Sequence, residues 1–112
     1  MVNTVNNMQV SETLLENYFS CLVNRFFKIL PMREKNEETL NTYLQGLQIE
    51  LMGCKSFIPE MDKNEMYLSL LNILQYFIDN SDCPIKDVRR EVFTAINLCN
   101  QLRNIYVCSE VV

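Results

Sequence analysis

With 112 residues, 48% of them hydrophobic and 21% charged, the chain has the composition of one soluble domain and is too ordinary to be disordered or fibrous. Its net charge of −4 is mixed along the sequence and announces no polyanion-binding surface, while two glycines and three prolines are too few for the turns of a many-stranded β fold. The absence of histidine removes the usual general base, the Ser-His and Cys-His nucleophile pairs and the commonest metal ligand.

Residues 1–10, MVNTVNNMQV, are polar and without period, and are expected to form a flexible lead-in to a bundle spanning 11–108. They carry neither the basic nor the apolar region of a secretory signal, and no later run approaches the ~18 apolar residues of a membrane span. A cytoplasmic protein is therefore expected. Ser11 offers a helix cap with Glu12 behind it, and Leu15, Phe19, Leu22, Phe26 and Ile29 repeat at the spacing of one helix face. The first helix is thus predicted over 12–30, with Pro31 ending it.

Asn36, followed by Glu37 and Glu38, is the expected cap of a second helix over 37–52, whose seam is Leu40, Leu44, Leu47 and Leu51. Gly53 stands where a left-handed cap would close it. Gly46 lies inside this helix, a weak point unless a neighbour approaches closely there. The connection CKSFIPEM should tuck Phe57 and Ile58 beneath the bundle.

The third helix, 63–79, is the most continuously apolar segment, with Met66, Leu70, Ile73, Leu74 and Phe77 on one face and Tyr67, Leu71 and Ile78 widening it. Its polar strip is so narrow that at least two neighbours must cover it. Asp62 and Glu65 form a box-like start. Asp82 or Cys83 is the expected cap of the fourth helix, 84–107, with Pro84 in its first turn. There Ile85, Val88, Val92, Ala95, Cys99, Leu102 and Tyr106 keep a regular three-four alternation. Four amphipathic segments with short links predict an all-α, antiparallel up-down-up-down four-helix bundle.

No residue pattern specifies chemistry: neither catalytic residues, nor a metal site, nor a cofactor site is expected. The five cysteines lack the paired spacing of a zinc site or disulfide framework. Cys21, Cys54 and Cys99 fall on or beside apolar stripes and read as structural thiols, whereas Cys83 and Cys108 sit near chain breaks, where exposure is expected. The acidic pairs Glu37 with Glu38 and Glu60 with Asp62 sit at expected helix starts, where they complement the helix dipole.

Three bulky residues fall off the stripes: Phe27, Ile49 and Phe93. They are the candidate interface, and they predict a protein that binds another protein or itself, most simply as a homodimer. The alternative is a small DNA-associated regulator using Lys86, Arg89, Arg90 and Arg103 on the last helix, a reading that the acidic balance of the chain works against.

Overall fold

The computed structural model describes residues 4–56 and 58–107. It contains four α-helices, α1 (Thr4–Glu34), α2 (Leu40–Met52), α3 (Glu65–Asp79) and α4 (Ile85–Tyr106), with 3₁₀ turns at Gly53–Ser56 and Pro59–Lys63 between α2 and α3. Side-chain pairs between helices show that each neighbour runs antiparallel. Tyr18 meets Glu50 and Tyr43 meets Arg25 between α1 and α2. Tyr67 meets Leu51 and Gln75 meets Gln48 between α2 and α3, while Asn64 meets Tyr106 between α3 and α4. Glu34 with Arg89 and Phe27 with Phe93 close the ring between α4 and α1. The α1–α4 contact is the most extensive, and α1 and α3 lie on the diagonal. The fold is the expected four-helix bundle.

The core follows the apolar periods. Leu15, Phe19, Leu22, Phe26 and Ile29 of α1 are buried, as are Leu44, Leu47 and Leu51 of α2. From α3 come Tyr67, Leu70, Ile73, Leu74 and Phe77, and from α4 Val88, Val92, Ala95, Cys99 and Leu102. Ile58 and Met61 close one end of the bundle from the α2–α3 connection.

The boundaries differ from expectation, each for a physical reason. Residues 4–10, expected as a flexible lead-in, are helical, because no glycine or proline separates them from α1 and propagating a helix is cheap once it has nucleated. Pro31 lies inside α1 rather than ending it. It is exposed, so the backbone bond that it cannot donate is lost on the side facing water. Asn36, expected to start α2, instead ends α1. Its φ of 53° is left-handed, and the bonds Asn36 N to Arg33 O and Glu37 N to Met32 O complete a Schellman motif around it. Gly53 has φ −69°, not a left-handed cap, because the chain tightens directly into a 3₁₀ turn that buries Cys54.

Asp62 belongs to the second 3₁₀ turn, and the cap of α3 is Asn64, whose side chain accepts from the backbone N–H groups of Met66 and Tyr67. At α4 neither Asp82 nor Cys83 caps through its side chain, and Pro84 itself is the N-cap. Phe57 and Cys108 lie outside the described residues.

Gly46 is not a point of close approach, since a Cβ built there meets nothing within 4 Å. Gly46→Ala should therefore stabilise the protein by about 0.5–1 kcal/mol, seen as a higher urea midpoint at unchanged slope. Leu74 is fully buried whereas Leu71 is only partly so. Leu74→Asp is expected to abolish the helical dichroism signal at 25 °C, at a cost of several kcal/mol against a total of about 5–15, while Leu71→Asp remains folded because its carboxylate reaches water.

Candidate functional site

The outer face of the α1–α4 pair holds the surface that the sequence singled out. Phe27 on α1 and Phe93 on α4 meet edge to face, with ring centroids 5.9 Å apart at 90°. Both rings stay nearly half exposed, at 45% and 46%. Each sits off the core stripe of its helix, and antiparallel packing brings the two off-stripe positions to the same level. An edge-to-face pair contributes about 0.5–1.5 kcal/mol beyond its burial, so the contact holds the rings in place without covering them. Ile49, the third candidate, is 67% exposed but stands on α2 across the bundle. There Met52 shares its side of the helix one turn on, also exposed. Ile49 is therefore not joined to the aromatic pair.

The basic residues of α4 border the same seam and are largely engaged within the chain. Arg89 pairs with Glu34 across the seam at 3.7 Å, and Arg90 pairs with Asp87 at 3.3 Å and Glu91 at 3.5 Å. Lys86 is exposed and Arg103 half-buried. Exposed pairs of this kind contribute little to stability, but they balance the charge of the face around the two phenylalanines.

No family model, curated protein or solved structure matches this chain.

The thiols are distributed differently from expectation. Cys54 and Cys99 are buried, but Cys21 is exposed although it lies beside the α1 stripe, and Cys83 is buried, at 8% exposure, although it lies in the α3–α4 turn. Cys83 is drawn inward because the guanidinium of Arg33 donates to its carbonyl oxygen and ties the turn to the end of α1. Among the described residues, no three Cys, Asp or Glu side chains come together at a distance that could hold a metal ion, and no helix is long and apolar enough to cross a membrane.

Near the α2–α3 connection, Tyr18, Cys54, Tyr67 and Cys99 form one low-dielectric cluster. Burial pushes the Cys99 thiol from its ordinary 9.0 up to about 12. Burial also raises Cys54, though the Tyr18 hydroxyl partly opposes it. The Tyr18 and Tyr67 phenols are raised too, first by burial and then by the neighbouring thiol of Cys54.

These thiols are poor nucleophiles, and their shifts set an alkaline limit on the fold. The native state keeps protons that the unfolded chain releases, so the contribution is fully present below about pH 9 and is lost as pH rises towards 12. The urea midpoint should fall steeply across that window, and Cys99→Val should make the fall shallower.

Proposed function

We propose that the protein acts without chemistry of its own, by binding a second copy of itself through the α1–α4 seam. The observation that carries this reading is the Phe27–Phe93 pair: two aromatic rings from helices far apart in sequence, fixed against each other and left half in water. Aromatic residues dominate interface energetics, and rigid ones lose little entropy on binding. A two-fold axis beside the pair would set Phe27 of one copy against Phe93 of the other, so a single patch serves both.

The face is large enough. The 22 residues of α4 span about 33 Å at 1.5 Å per residue, and the bundle is about 25 Å wide. The product, roughly 800 Å², matches what each partner of a standard interface buries. The internal pairing of Arg89 and Arg90 supports a protein partner over a phosphate backbone, which needs free cations to displace its counterions.

Light scattering at micromolar concentration should give twice the chain mass for the wild type. Phe93→Asp and Phe27→Asp should each give the monomer mass with unchanged helicity, since losing a central aromatic anchor costs ~2 kcal/mol or more. Ile49→Asp, across the bundle, should leave the dimer intact. A monomeric wild type, or a dimer that survives both phenylalanine substitutions, overturns the reading.

A further inference from the structure

At the end of the bundle where α1 turns into α2 and α3 turns into α4, a cleft of about 260 Å³ opens between the helices. Its wall is apolar: Ile29, Leu40, Leu44, Phe77 and Val88, with Cys83 beside them. An apolar cavity of about 150 Å³ already accepts benzene, so this cleft has room for a body of one or two rings. It is independent of the aromatic seam.

Two features of the rim decide what polar group such a ligand would carry. The first is Arg33, a half-buried residue whose guanidinium, among the described residues, donates to the carbonyl of Cys83. No carboxylate among the described residues lies at ion-pair distance from it. Glu37 and Glu38 also stand on the rim, both exposed, and their charge works against an anion there, which holds the expected affinity to the millimolar range.

The second feature is an asymmetry in the helix ends bordering the cleft. The two carbonyl ends are closed, α1 by the Schellman motif at Asn36 and α3 by the Asn80 side-chain amide, which donates to the Tyr76 carbonyl. The two amide ends are open, since neither Thr39 before α2 nor Pro84 before α4 offers a side-chain cap. The first-turn N–H groups of Leu40 and Asp87 are taken by the carbonyls of Glu37 and Pro84, and Asp87, Glu37 and Glu38 offset part of the dipole charge, but those of Asn41, Thr42, Ile85 and Lys86 have no partner among the described residues.

We infer that this cleft binds a small monocarboxylic acid with an aromatic or compact aliphatic body, its carboxylate on Arg33 and its body against Ile29, Leu44, Phe77 and Val88. Arg33 suits the task because its planar fork can hold a carboxylate through two parallel bonds while its other donor stays on Cys83.

The test is a titration of the intact chain, carrying ¹³C-labelled methyl groups, with 2-naphthoate, 2-naphthamide and 2-naphthylmethylamine. The acid should shift the methyl resonances of Ile29, Leu44 and Val88 saturably in the millimolar range, leaving those of Ile49 and Ile105 unmoved. The neutral amide should bind about tenfold more weakly, the loss of one charge-assisted contact, and the amine not at all. Arg33→Gln should bring the acid down to the level of the amide. No saturable shift with the acid, or shifts centred outside the cleft, overturns the site. Equal or tighter binding of the amide or amine on the wild-type chain overturns the assignment of an acid, so the decision does not hang on a variant that fails to fold.

Discussion

The structure depends on how the weakest helix is held. With 13 residues, a glycine in its middle and no side-chain cap at its start, α2 has little helical stability of its own. Tyr18 of α1 donates to the carbonyl of Glu50 at 3.1 Å, and Tyr67 of α3 donates to that of Leu51 at 3.0 Å. These are carbonyls of the last turn, where the single Gly53 N–H is shared among Ile49, Glu50 and Leu51 instead of each having its own helical donor. Tyr43 returns the contact by donating from α2 to the Arg25 carbonyl at 2.7 Å. Each bond contributes about 0.5–1.5 kcal/mol net, and three of them converging on one short helix fix its register against both neighbours. The same bonds explain why large phenols can enter this core: among the described residues, no buried side-chain polar atom lacks a partner.

The interior and the fold class were legible in the sequence because burial follows period. The stripe from Leu15 to Ile29, the seam from Leu44 to Leu51 and the alternation from Val88 to Leu102 are the buried faces. Helix ends were less legible, because cap chemistry is ambiguous until the chain around it is placed. An asparagine before two glutamates suits a helix start, yet Asn36 also tolerates the left-handed conformation that a helix end requires, and the turn used it that way. Asp62 was read as the start of the third helix, but the 3₁₀ turn of Pro59–Lys63 takes it up and leaves Asn64, two residues on, in position to cap.

The sites were legible only as faces. A helical period shows that Phe27 and Phe93 leave their core stripes, but not that antiparallel packing sets them 5.9 Å apart while leaving Ile49 on another side. The cleft was invisible to periodicity altogether. Its wall draws on all four helices, and its cation, Arg33, belongs to the turn of α1 that Pro31 was expected to remove. The burial of Cys83 has the same origin, since the residue that pulls its turn inward lies beyond that proline.

The closing of the ring between α1 and α4 also bears on how the chain matures during synthesis. The widest face of the first helix waits for the last, fifty residues downstream of its end. While α2 and α3 can already form a hairpin stapled by Tyr67, the apolar flank of α1 stays open until α4 has left the ribosome. A nascent chain of this design carries an unfilled helix-shaped berth from the emergence of α1 until that of α4. During that interval, any amphipathic helix of suitable length, including α4 from a neighbouring chain, can lodge there, so exchange of the last helix between copies is the misassembly this topology invites.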